Sequence, residues 1–346
     1  MVHIGQGELE RIIARAFGIR GVPSGDAELA AKVLVAADLQ GKSSHGAELV
    51  PGYIKRLENG AMEPVTHLGI VSEWKAGLLL DGGNGIGQVI AARAMEICIQ
   101  RAREHAVAVV GVRNSNHLGA LGYYVRMAAD QDMVGVAMSN GFRAMAPWGG
   151  VDPFFSTNPL AAAIPRSGDD PVVIDMALSA TARAKIRQAG GEGCSIPEGW
   201  ALGPDGKATR DPQEALRGTL LPAGGVKGYA LAILVESLCA CLTGARMSAD
   251  VRAWYEDYEG PTELGNLFMA VDVAAFLPAG RFKSRMEEMA AGIKKGARLD
   301  GVEEILLPGD GAARKTRVLE QQGIPLPERL WKSLQVMAGE SPGTGR

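Results

Sequence analysis

The chain of 346 residues carries 36 Lys+Arg against 39 Asp+Glu, a formal net charge of −3, with 47% hydrophobic and 22% charged residues. This is globular composition rather than a disordered polymer, and the balanced charge argues against a polyanion binder, so no nucleic-acid partner is expected. At roughly 150 residues per domain the length fits about two domains. The 46 glycines beside 5% aromatics fit either a backbone wrapped around a phosphate-bearing ligand or a loop-rich α/β protein.

The opening MVHIGQGELERIIARAF lacks the uninterrupted apolar core of a signal peptide, and the most apolar run, YALAILVESLCAC, is cut by Glu236. Residues 7–40 place Leu9, Ile12, Ile13 and Ala16, then Leu29, Val33, Leu34 and Ala37, at helical spacing. Two helices are predicted, broken at Gly21, Pro23 and Gly25, with Ser24 and Asp26 as N-cap residues of the second. A third runs from about Pro51 to Glu58 and stops at Asn59-Gly60. From about residue 67 short β-type runs alternate with helical or glycine-rich segments: LGIVSEW, AVAVVGV, MVGVAMS, LAAAIP, VVIDMA and LFMAVDVAAF. Helices are expected at Gln88–His105, Ala120–Gln131, about Gly228 to Thr243, Arg281–Gly296 and Pro327–Val336, and the tail GESPGTGR is expected to be disordered. GGNGIG at 82–87 is not spaced as G-x-G-x-x-G, so the doubly wound dinucleotide fold lacks its usual mark. Cys98, Cys194, Cys239 and Cys241 form neither a disulfide scaffold nor a C-x2-C zinc pair, and burial is expected for the cysteines of the apolar stretch. The sum is a soluble protein of the reducing cytoplasm, with no membrane partner and no metal site.

Three constellations carry chemistry. His45 in KSSHG and His117 in NSNHLG sit in polar, glycine-flanked contexts suited to proton transfer, although each would serve equally as a turn histidine. STNPLAAAIP at 156–165 and VIDMALSATARAKI at 173–186 bring Ser156, Thr157, Asn158, Asp175 and Ser179 to the ends of apolar runs, where a cleft or simple turn chemistry accounts for them. PAGGVKGYALAILVE leads two glycines and Lys227 into an apolar helix, as an anion site or an ordinary helix entry would.

Taken in order, SSHG, DGGNGIGQ, NSNHLGALGYY, APWGG, STNPLAAAIP, DMALSATARAKI, GWALGPDG, DP, GGVKGY, LTGA and LPGD resemble the malate/L-lactate dehydrogenase family, over about residues 8 to 335. That family also includes ureidoglycolate, sulfolactate and diketogulonate enzymes and cyclic imino-acid reductases. The resemblance implies an α/β fold with a large, mostly antiparallel sheet region of non-Rossmann type that binds NAD or NADP, flanked by helical segments from both chain ends. It places the helical part, for substrate and dimer contacts, at residues 1–66 with 300–346, and the sheet-containing part at 67–299. It implies a homodimer acting on a small-molecule substrate, with hydride passing between the nicotinamide and C2 of a 2-oxo or 2-hydroxy acid. By match of motif, Ser44 orients His45 as acid/base, and His117 stands where some members have the catalytic histidine. Thr157 touches substrate. The cofactor is held by His117, Leu118, Gly119, Ala120 and Leu121, by Asp175, Met176 and Ala177, by Lys227, and by Pro308, Gly309 and Asp310.

Two departures bear on substrate. Many members read S-H-G-x-x-R, the arginine gripping the substrate carboxylate, whereas this chain has Leu49 there; Arg143, in SNGFRAMAPWGG, is the candidate replacement, with a set of backbone N–H groups as the alternative. Lys185 stands about where the imino-acid reductases have a carboxylate that completes a relay to the serine–histidine pair, and the lysine in its place mildly favours a hydroxy or oxo acid over a cyclic imine. A reductase of Δ1-piperideine- or pyrroline-2-carboxylate and an inactive nucleotide-binding member are the alternatives.

Overall fold

The computed structural model describes residues 1–168 and 170–341, so the last five residues of the expected disordered tail lie outside it. The first strand, β1 (Val2–Ile4), leads into α1 (Gln6–Gly18) and α2 (Ser24–Leu39), whose apolar faces meet at Leu9, Ile13, Ala30 and Leu34. Neither proposed cap holds at α2: Pro23 occupies the N-cap, no side chain caps it, and Asp26 is drawn to Arg93 at 2.5 Å. After α3 (Val50–Glu58) come β2 (Gly69–Trp74), β3 (Gly77–Asp81), α4 (Gly87–His105), β4 (Val107–Ser115), α5 (Gly122–Ala129), β5 (Met133–Ser139), β6 (Leu160–Ile164) and β7 (Val172–Met176). The third quarter holds α6 (Arg183–Gly191), a two-residue strand pair β8 (Ala201–Leu202) and β9 (Thr219–Leu220) around α7 (Pro212–Arg217), and α8 (Val226–Glu236). The chain ends with β10 (Leu264–Asp272), α9 (Ala279–Lys294), α10 (Asp310–Gln322), β11 (Ile324–Leu326) and α11 (Glu328–Met337).

A seven-stranded sheet, ordered β2-β3-β4-β10-β5-β6-β7, dominates the molecule. Every neighbouring pair is antiparallel except β3 and β4, which run parallel because α4 carries the chain back between them. The late strand β10 is inserted between β4 and β5, so the sheet centre forms only when distant parts of the chain meet. Strand alternation separates two buried layers. Val110, Val112, Phe268 and Ala270 face α4 and α5, while Leu267, Val109 and Met138 face α8. A third core joins α1, α2, α3 and α11 with Ile86, Val89 and Trp254, and β1 pairs with β11, so the two chain ends share one cluster.

Several elements differ from expectation. The helix after Lys227 ends at Glu236 and passes into a π-helical turn over Ser237–Cys241, which leaves Cys239 buried and Cys241 exposed, against the burial expected of both. Cys98 is buried and Cys194 exposed. Three helices, α6, α7 and α10, lie where no helix was predicted; α10 is largely polar and buries only Leu319, so apolar periodicity is too weak to announce it. No helix among the described residues is long and apolar enough to cross a membrane, and none of their His, Cys, Asp or Glu side chains gather in threes to hold a metal ion.

Candidate active site

After α2 the chain turns into two short 3-10 turns, Ser43–His45 and Ala47–Leu49, before α3 begins. The turn rests on Asp38, whose Oδ2 accepts the Ala47 N–H at 2.8 Å. Burial pushes the Asp38 carboxyl up to about 7 against that hydrogen bond. Gly46 is glycine for want of space, since a Cβ there would meet Asp38 Oδ1 at 2.1 Å. On the turn, Ser44 Oγ lies 3.0 Å from His45 Nδ1. Lys42 Nζ meets Asp175 Oδ2 at 2.5 Å, which ties the turn to the end of β7. Burial lowers the His45 pKa from its ordinary value; Asp175 opposes the shift and Lys42 adds to it.

The second histidine is positioned by asparagines. Asn114, at φ 52, donates to Asp81 Oδ2 at 2.8 Å. Asn116 donates to the carbonyls of Asn84 at 3.0 Å and Gly85 at 2.9 Å, and accepts from Thr262 Oγ1 at 2.8 Å. These bonds sew NSNHLG onto GGNGIG. At Gly87 a Cβ would lie 2.3 Å from the His117 carbonyl oxygen, so glycine lets α4 start directly against the histidine's backbone. The His117 ring stacks on Trp254 at 4.6 Å between centroids and 10° between planes, and faces His45 at 6.2 Å and 30°. Tyr53 Oη lies 2.7 Å from His117 Nδ1, and Gln88 Nε2 donates to that hydroxyl at 2.6 Å. Burial, with a smaller contribution from His45, pushes the His117 pKa down to about 3. Trp254 is held in turn by buried Arg56, whose guanidinium donates to the carbonyls of Trp254 at 3.2 Å, Asp257 at 2.8 Å and Gly260 at 2.7 Å.

The remaining predicted residues converge on β7 and the segment after it. The Leu178 N–H donates to the Thr157 carbonyl at 2.8 Å, the Val173 N–H to the Pro308 carbonyl at 3.0 Å, and the Ala223 N–H to the Leu178 carbonyl at 2.8 Å. Thr157, Asp175–Ala177, the loop before Lys227 and Pro308–Asp310 are thereby neighbours of one edge. The segment His117–Leu121 reaches the same edge, since a Cβ on the following Gly122 would lie 3.0 Å from Asp175 Oδ2. Leu118, Ala120 and Leu121 are buried, and Gly119 has φ 76. Lys227 and Met176 are exposed. Asp310 pairs with Lys294 at 2.6 Å and Arg166 at 3.6 Å. Gly224 and Gly225, at φ 62 and 64, deliver the chain into α8, whose first-turn N–H groups at Val226 and Lys227 have no intrahelical acceptor. Backbone donors, one lysine and flanking apolar side chains fit a dinucleotide laid along this edge.

Arg143 is exposed and makes no salt bridge among the described residues. It follows Phe142, whose ring meets Tyr255 at 5.1 Å, and Tyr255 follows Trp254. Leu49 is half-buried against the helical core, and Lys185 is exposed in the first turn of α6. Five residues of the site escaped the sequence reading: Asp38, Lys42, Tyr53, Gln88 and Trp254. The first three flank the SSHG motif, which is a usable signal, and Gln88 closes the DGGNGIGQ block. Trp254 lies far along the chain from either histidine, and no local pattern marks it.

The sequence profile of the family described as malate/L-lactate dehydrogenase matches residues 4–335. The L-sulfolactate dehydrogenase of Methanocaldococcus jannaschii is 38% identical over 320 residues, 92% of each chain. The sulfolactate dehydrogenase structure from that organism superposes with a TM-score of 0.93 at 36% identity, covering 99% of this chain and 98% of the other. The (2R)-3-sulfolactate dehydrogenase (NADP(+)) of Chromohalobacter salexigens is 37% identical over 269 residues, 78% of this chain and 80% of its own. The ureidoglycolate dehydrogenase (NAD(+)) of Escherichia coli strain K12 is 30% identical over 326 residues, 94% of this chain and 93% of its own.

Proposed function

The chain belongs to the malate/L-lactate dehydrogenase family and is an NAD(P)-dependent dehydrogenase of 2-hydroxy acids, and from that premise we propose that it interconverts a linear 2-oxo acid and its 2-hydroxy acid with His45 as the acid/base. The observation that carries this reading is the meeting of two separate histidine motifs, ring to ring, beside a common edge built from Thr157, Asp175 and the Lys227 loop. When bound, the nicotinamide supplies the site that gives or takes a hydride at C2. Ser44, at Nδ1, orients the His45 imidazole. His45 then takes the hydroxyl proton in oxidation and returns it to the carbonyl oxygen in reduction. Asp175–Ala177, His117–Leu121, Lys227 and Pro308–Asp310 hold the cofactor, and Thr157 with Arg143 hold the acid. The purified protein should change nicotinamide absorbance with 2-oxo acids, without added metal. Silence across a panel of oxo and hydroxy acids with both cofactors overturns the reading, and a cyclic imino acid outcompeting every linear acid replaces it by the reductase alternative.

We further read the chain as a cytoplasmic homodimer in two parts, residues 1–66 with 300–346 and residues 67–299. The unpaired cysteines support a reducing compartment. Dimerisation is supported by α8, which is mostly apolar and leaves Val226, Leu231, Ile233 and Leu234 exposed. Sedimentation of wild type and Leu234→Glu tests it; a monomeric wild type overturns it.

A further inference from the structure

The contacts behind His117 bear on which ring nitrogen carries its hydrogen. Nδ1 is approached by Tyr53 Oη at 2.7 Å and by the Gly119 backbone N–H at 3.4 Å. A backbone N–H only donates, so Nδ1 must offer its lone pair. Tyr53 Oη already accepts from Gln88 Nε2 at 2.6 Å, and of the two acceptors within reach of its own hydrogen, Nδ1 at 2.7 Å is much nearer than the His117 carbonyl oxygen at 3.4 Å. A neutral imidazole keeps one hydrogen, and with Nδ1 accepting, that hydrogen sits on Nε2.

We propose that Gln88 and Tyr53 are positioning residues that fix His117 as the Nε2–H tautomer, so that His117 donates a hydrogen bond to the substrate oxygen and keeps its proton throughout, leaving proton transfer to His45. The inference rests on the dehydrogenase reading and divides the labour of its two histidines. In oxidation the hydroxyl proton goes to His45 and the hydride leaves C2 for the nicotinamide. In reduction both return, and His117 neither gains nor loses hydrogen. The opposite orientation of the Gln88 amide would set Oε1 against Tyr53, draw the tyrosine hydrogen away, and force a hydrogen onto Nδ1 facing the Gly119 N–H. It would also exchange one unpaired buried oxygen, Gln88 Oε1, for an unpaired NH2 group with two donors. The face packed on Trp254 denies an imidazolium its solvation, which agrees with the depressed pKa.

The test is long-range 1H–15N correlation on full-length protein labelled with 15N-histidine, the His117 signals being those lost in His117→Asn. The expected result is one Nε2–H tautomer, unchanged from about pH 8 to about pH 5. An Nδ1–H pattern, or protonation inside that window, overturns the inference. Tyr53→Phe should mix the tautomers and lower kcat about 10-fold or more with little change in KM. If Tyr53→Phe does not fold, Gln88→Glu serves, since a carboxylate accepts from Tyr53 and should move the hydrogen toward Nδ1. Wild-type-like tautomer and kcat in the folded variant overturn the relay. Turnover with an Nδ1–H ring counts against this inference alone, whereas an Nε2–H ring with no turnover on any acid counts against the functional reading.

Discussion

His45 and His117 face each other at 6.2 Å, yet they are embedded in opposite ways. The first stands on a polar turn between Ser44, Lys42 and Asp175, where charges of both signs adjust it. The second lies flat on Trp254 with its inner nitrogen turned to Tyr53, and burial there outweighs whatever would favour a positive charge. On the proposed reading, two imidazoles a few ångströms apart take different chemistry from their surroundings: one moves a proton, the other donates a hydrogen bond.

The strongest way to break that comparison is to remove the mobile proton. His45→Ala should lower kcat by about 10³-fold while the folded protein still binds its cofactor. If the loss is under about 3-fold in steady-state assays, His45 is not the acid/base and the division between the two rings fails. In the oxidation direction the acid limb of kcat/KM in wild type should then carry the His45 pKa, below the ordinary histidine range because burial lowers it. His117, which stays neutral down to about 3, should not appear in the profile.

The turn under His45 offers two smaller perturbations. Gly46→Ala drives a Cβ to 2.1 Å from Asp38 Oδ1. The clash should cost about 1–3 kcal/mol in chemical unfolding. It should also impair turnover by moving His45, whereas a variant of unchanged stability and kcat would show the turn to be compliant. Asp38 adds a pH signature. Its carboxyl is raised to about 7 in the fold, above the ordinary unfolded value of about 3.9. The unfolded chain therefore releases this proton before the native one does. The stabilisation is complete below the unfolded pKa and is lost as pH rises through about 7. Asp38→Asn should flatten that part of the curve, by about 1 kcal/mol per pH unit at its steepest. A stability profile between pH values of about 4 and 7 that matches wild type would place the titration elsewhere.

How much of this was legible in the sequence depends on the range of the forces involved. The strands MVGVAMS and LAAAIP declare themselves by local apolar runs, and helices such as α1 and α4 by periodicity; all follow from neighbours in the chain. Ser44, His45 and His117 stand out because polar, glycine-flanked histidines are unusual, and the order of motifs points to a family. The meeting of the two rings is not local: it depends on Gly87 admitting α4 against His117 and on Arg56 fixing a loop nearly two hundred residues away so that Trp254 covers the ring. Polar helices such as α10 and the π-turn after Glu236 escape because tertiary contacts, not propensity, hold them. Asp38 was hidden for a related reason: a buried acid under a turn looks, in sequence, like any aspartate of a helix end.

The smallest expected effect concerns the substrate's carboxylate. Leu49 is half-buried at the position where the motif S-H-G-x-x-R would place a carboxylate-gripping arginine, so on the proposed reading the carboxylate is held by another element. Arg143 is exposed, free of acidic partners among the described residues, and carried by a bend whose Phe142 abuts the Tyr255–Trp254 corner beside His117. Because it touches neither histidine, Arg143→Ala should leave kcat within about 2-fold and raise KM for the 2-oxo acid by about 10-fold. Such a split would mean that the clamp moved to another loop while the two rings kept their roles. Installing the missing group, Leu49→Arg, in the Arg143→Ala background should then restore KM in part, since either guanidinium can meet the same carboxylate. If KM stays unchanged for every accepted acid in Arg143→Ala, the carboxylate is held without Arg143, and backbone N–H groups near Thr157 become the donors to examine.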